Sequence, residues 1–101
     1  MRVRDLASAR AGDKGNTSNV VVVADGEDAY ARLRESLTAD RVARQLTPIA
    51  DGPVTRYELP NLHALNFVIE GALAGGVTTS LRLDAHGKSL SYAVLGIDLD
   101  D

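Results

Sequence analysis

Four consecutive valines, Val20 to Val23, lie in the stretch NVVVVAD from Asn19 to Asp25. Branching at Cβ stiffens these side chains and favours extended backbone, so the run predicts a strand. Unbroken apolar character suits a strand buried on both faces, which places it centrally in a sheet. With 101 residues the chain has room for one domain and a modest core, so residues 1–101 are read as a single unit.

The other elements are laid out around that strand. VRDLASA predicts a short strand over Arg2 to Ala7, and the polar stretch ARAGDKGNTSN, Ala9 to Asn19, predicts a loop. Asp25 or Gly26 opens a helix with Glu27 and Asp28 in its first turn, where the helix dipole favours acids. Ala29, Leu33 and Leu37 share one face of it. Thr38 is a new N-cap, and Val42 and Leu46 follow at helical spacing, so Glu27 to Leu46 forms two helices with a kink near Thr38. TPIADGP is a loop, and VTRYEL, Val54 to Leu59, alternates as a strand does. Pro60 ends that strand, and Asn61 caps a largely buried helix over Leu62 to Leu73. The final segment, TSLRLD through SLSYAVLGIDL, reads as a hairpin turning at Gly87, with a frayed acidic tail.

Apart from the first strand this order is βαβαββ. It predicts an α+β ferredoxin-like sandwich, a mostly antiparallel sheet with helices on one face. The expected core is Val20 to Val23, Leu33, Val42, Leu46, Leu62, Leu65, Ile69, Leu81 and Leu83.

Charge narrows the partners. The formal net charge is -3, and basic residues concentrate only in the first sixteen positions, with Arg2, Arg4, Arg10 and Lys14 against Asp5 and Asp13. A protein that reads a nucleic-acid backbone carries a basic face, so nucleic acid is not the expected partner. The scattered Phe67 and three tyrosines offer no base-stacking platform. The lack of cysteine removes disulfides, thiolate metal sites and thiol nucleophiles. No apolar run reaches membrane-spanning length, and MRVRDLASAR has no apolar signal-peptide region, so a cytoplasmic protein without a membrane partner is expected.

Three stretches are candidates for chemistry. In the first, Gly12 and Gly15 permit a tight turn whose amide N–H groups form an anion-binding nest, and Arg10 and Lys14 add positive charge. The bland alternative is a turn in which Asp13 and Asn16 hydrogen-bond the backbone while Lys14 is solvated. The standard nucleotide fingerprints are absent. In the second, His63 and Asn66 share a face of the helix opened by Asn61, and the dipole holds His63 neutral and able to act as a base. Its alternative is a surface histidine beside a capping asparagine. The third, GGVTTS from Gly75 to Ser80, is a glycine-rich turn with hydroxyls, or simply a helix stop before a strand. His63 and His86 are the only histidines and have no carboxylate cluster around them, so neither a metal nor another cofactor is expected.

The strings ARAGDKGN, YELPNLHALNFV and GGVTTSLRLDAHGK resemble the ferredoxin-fold domain found at the C-terminus of acyclic terpene utilisation (AtuA) proteins, which also occurs as a separate small protein. The likeness covers nearly the whole chain. It implies a setting in the catabolism of acyclic isoprenoids such as citronellol and geraniol through acyl-CoA intermediates. It also implies a small accessory subunit completed by a larger AtuA-type subunit. Two alternatives are a self-sufficient homo-oligomer, either enzyme or anion-binding module, and a purely structural interaction domain. The resemblance adds weight to the core Gly12, Asp13, Lys14, Gly15. Lys14 or Arg10 is then expected to meet an anionic group, with Asn16 and Asn61 or Asn66 as polar neighbours. That group is a CoA phosphate, a substrate carboxylate or an acidic side chain of the partner. Lys14, Asp13 and His63 are the candidates for a catalytic role.

Overall fold

The valine run is part of the second strand of a four-stranded antiparallel sheet. A computed structural model describes residues 1–14, 17–46, 52–70 and 88–100. Among these, the strands are β1 (Ala7–Lys14), β2 (Thr17–Ala24), β3 (Val54–Leu59) and β4 (Ala64–Glu70), in the order β1-β2-β4-β3. The helices are α1 (Glu27–Ser36), α2 (Ala39–Leu46) and α3 (Lys88–Leu95). All three helices send side chains into one core with the sheet residues Val20, Val22, Leu65, Phe67 and Ile69, so they cover the same face. The fold is the expected α+β ferredoxin-like sandwich: two strands, the helix pair and β3 follow in the expected order, and the differences begin after β3.

Thr38 caps α2 as its position predicts: its Oγ1 accepts a hydrogen bond from the Arg41 N–H at 3.1 Å. Val42 and Leu46 then face the core. The Arg56 guanidinium, projecting from β3 on the helix side, donates to the carbonyls of Arg34 at 2.8 Å and Leu37 at 3.0 Å. It thereby satisfies backbone acceptors left open at the end of α1 and ties the α1–α2 corner to the sheet.

Several expectations are corrected. Arg2 to Ala7 is not a strand: Val3–Asp5 is a 3-10 turn, closed by the Asp5 carboxylate accepting from the Arg2 N–H at 2.8 Å. Most of the polar stretch Ala9 to Asn19 is not a loop but the two arms of the β1–β2 hairpin, paired from Ala7 with Ala24 to Lys14 with Thr17. Its polar residues and glycine are tolerated because one face of the sheet has no described helix on it. For the same reason β2 is central but buried on one face: Val20 and Val22 are inside, while Val23 is 38% exposed.

The helix expected over Leu62 to Leu73 is, as far as Glu70, instead a 3-10 turn, Pro60–Leu62, followed by β4, and residues 71–73 lie outside the described residues. Leu65, Phe67 and Ile69 alternate with the half-buried Asn66 and Val68, which is strand periodicity. Leu62 is therefore 66% exposed, not core. The segment SLSYAVL lies in a helix, not a strand, because Leu90 and Val94, four apart, both enter the core. The tail is pinned: Leu99 is buried, its N–H donates to the Met1 carbonyl at 2.8 Å, and Arg2 bridges Asp98. Leu81, Leu83 and the expected turn at Gly87 lie outside the described residues.

Candidate functional site

Strand pairing sets out the sheet face opposite the helices row by row. One row runs Ser8, Val23, Ala64, Leu59 across β1, β2, β4 and β3; the next runs Arg10, Val21, Asn66, Tyr57; the third runs Gly12, Asn19, Val68, Thr55. At the centre, the Asn19 side-chain amide donates to the Asn66 carboxamide oxygen at 3.1 Å. The bond uses one donor and one acceptor of the pair, so both carboxamides keep hydrogen-bonding capacity for a ligand or partner. Gly12 makes room for the pair: a Cβ there would stand 3.1 Å from Asn19 Oδ1. Arg10 is exposed beside it and has no hydrogen-bonded or ionic partner among the described residues. Tyr57, 53% exposed, closes the Arg10 row at the other edge.

The expected site is divided by this geometry. Arg10, Gly12 and Asn66 share the open face. Asp13 and Lys14 end β1, paired with Ser18 and Thr17, while Gly15 and Asn16 lie outside the described residues, as do Gly75 to Ser80 and His86. Asn61 and His63 belong to the turn at the opposite end of the sheet, next to Ala64. From the Ala64 row to the Thr17–Glu70 row is six strand residues, roughly 20 Å at about 3.3 Å per residue. Asn61 and His63 are therefore not neighbours of the glycine hairpin. His63 and Asn66 do not share a helix face, and the dipole argument for His63 falls with the helix. His63 instead adopts a left-handed conformation, φ 51°, that reverses the chain into β4. Its ring lies 5.8 Å from that of Tyr30.

Sequence reasoning missed Asn19, Tyr57, Val21 and Val68 as members of this face. Alternation in SNVVVV and LNFVI carries that signal, because Asn19 and Asn66 fall on the parity opposite Val20 and Phe67. Among the described residues no group of three or more His, Cys, Asp or Glu is placed to hold a metal. The three inner rows offer carboxamides, hydroxyls, one guanidinium and apolar surface, which suits recognition of a polar or anionic surface.

The family model described as the AtuA ferredoxin-like domain matches residues 1–100. The chain belongs to this family. No curated protein and no solved structure matches it. In this AtuA ferredoxin-like domain no described helix is long and apolar enough to cross a membrane.

Proposed function

We propose that this AtuA ferredoxin-like domain is the small accessory subunit of a two-component enzyme acting in acyl-CoA, isoprenoid-type catabolism, and that its open sheet face docks on a larger AtuA-type subunit. Membership in the family supports the setting. The observation that carries the docking role is the centre of the open face. There the half-buried Asn19–Asn66 pair sits between Val21 and Val68 with hydrogen-bonding capacity to spare. Polar groups in such a place lose solvent at an interface and require partners there. Arg10 beside them supplies a planar fork for a carboxylate, either an acidic side chain of the larger subunit or the acid group of a shared substrate. The small subunit then orders the site while the larger one carries the reacting groups.

The test is co-expression with an AtuA-type large subunit and capture on a tag carried by this chain. The large subunit is expected to copurify with the native chain and to be lost with Asn66→Leu and with Arg10→Glu. A native chain that captures no large subunit, yet turns over acyl-CoA as a homodimer, would overturn the reading in favour of a self-sufficient enzyme.

A further inference from the structure

A polar concavity lies on the helix side of the molecule, away from the open sheet face. Arg41, Arg44 and Gln45 of α2 form one wall, and Ile97 and Asp98 form the other, around a volume of about 350 Å³. That volume lies within the range of small-molecule sites. The walls are braced. Arg41 Nη1 donates to the Asp98 carbonyl at 2.8 Å, and the Gln45 side-chain amide donates to the Ala93 carbonyl at 3.3 Å. Arg44 is exposed and has no hydrogen-bonded or ionic partner among the described residues.

The charge around this groove runs against that of the chain. The protein carries a net charge of -3, yet arginines gather around Gly96 to Asp98. Arg2 Nη1 donates to the Gly96 carbonyl at 2.6 Å, and the Arg4 guanidinium lies close to Gly96. Among the described residues that line the groove, Asp98 is the one carboxylate. Its Oδ1 accepts from the Asp100 N–H at 3.0 Å and stands 3.5 Å from the Met1 amino group, which offsets part of its charge. Arg44 thus makes no ion pair among the described residues, and it lies one helical turn from Arg41 on the same face of α2.

We propose that this groove binds a phosphate ester. The Arg44 fork, with the Arg41 charge one helical turn away on the same wall, suits a multi-oxygen anion. A phosphate presents three terminal oxygens where a carboxylate presents two. Ile97 offers an apolar wall for the carbon part of the ester. The site is independent of the docking reading, since it needs neither the open face nor a partner subunit.

The test is a titration of the isolated, isotope-labelled 101-residue chain with inorganic pyrophosphate, followed by amide and arginine side-chain NMR, with acetate as the carboxylate comparison. Saturable shifts are expected at Arg44, Gln45 and Ile97, with acetate at least tenfold weaker. Arg44→Ala is expected to weaken pyrophosphate at least tenfold and Arg44→Lys to a smaller extent, while Arg34→Ala on α1 leaves it unchanged. Shifts centred on Arg10 and the β1–β2 hairpin, equal affinity in Arg44→Ala, or equal losses in Arg34→Ala and Arg44→Ala would each overturn the proposal. A native chain that captures no large subunit yet binds pyrophosphate would refute the docking reading alone.

Discussion

Replacing Gly12 by alanine tests the open face at one methyl group. The added Cβ would sit 3.1 Å from Asn19 Oδ1, closer than ordinary van der Waals contact by a few tenths of an ångström. Gly12 is directly paired with Asn19, so the simplest relief is rotation of the Asn19 carboxamide away from β1. That rotation stretches the 3.1 Å bond to Asn66, which is already near the long end for N–H···O. Loss of one neutral hydrogen bond is worth about 1 kcal/mol. Restricting the unfolded chain by Gly→Ala returns about 0.4–1 kcal/mol. The two terms nearly cancel, so the variant is expected to unfold within about 1 kcal/mol of the native chain. Large-subunit capture should nevertheless fall, and the Asn66 side-chain amide resonances should move. Urea melts with NMR of the same samples check both. A loss above about 3 kcal/mol, of the size seen for core truncations, would mean that Gly12 serves packing and not the amide pair. Unmoved Asn66 resonances would refute the geometry directly.

Four further variants probe the core and its edges. Phe67→Ala empties the largest fully buried side chain and should lower stability by about 3–5 kcal/mol, read as a lower urea midpoint at unchanged slope. Arg56→Met removes the charged donors to the Arg34 and Leu37 carbonyls and should cost about 2 kcal/mol. Glu58→Gln breaks only a half-exposed ion pair and should cost under about 0.5 kcal/mol; equal effects would refute the capping role. The Asp100 carboxyl is held below the usual carboxylate range, first by the Met1 amino group and then by Arg32, and Asp100 in turn raises the Met1 amino group. The carboxylate's contribution is present above its unfolded-state pKa and fades as pH falls through the lowered folded value. The ammonium's contribution is present below its own unfolded value and fades as pH rises through the raised one. Asp100→Asn should therefore flatten both limbs of a melting-temperature profile, and an unchanged acid limb would refute the pairing.

The parts of the fold legible in the sequence are those whose signal had one reading. Val54–Leu59 alternates between a terminating Pro60 and the preceding loop, and Thr38 stands where a cap must stand; both lie where expected. Leu62 to Leu73 was ambiguous because apolar residues cover most positions, so helical and strand periods both fit. Pro60 and Asn61 resemble a helix start, and the left-handed His63 that turns the chain into β4 has only a weak advance signature, since histidine is merely enriched at positive φ. The opening hairpin was obscured by the reverse effect. Arg10, Gly12 and Asn19 read as loop because polarity normally marks solvent, yet here it marks the side of the sheet with no described helix on it. Composition thus located a polar surface, but only strand pairing shows that Asn66 joins it and that Asn61 and His63 do not.

The alternation along β2, and along β4 from Leu65 onward, also separates two kinds of inheritance in one segment. Even-numbered Val20 and Val22 and odd-numbered Leu65, Phe67 and Ile69 hold the chain together, while the residues between them face outward. A single substitution at Asn19, Val21, Asn66 or Val68 can therefore change what the surface accepts and leave the interior intact. A one-residue insertion in the turn before β4 would exchange the two sets at once, burying asparagine and exposing phenylalanine. Substitutions are thus an open route to new partners for this scaffold, and length changes in that turn are a closed one. A library randomised at those four outward positions would explore recognition without sampling foldedness.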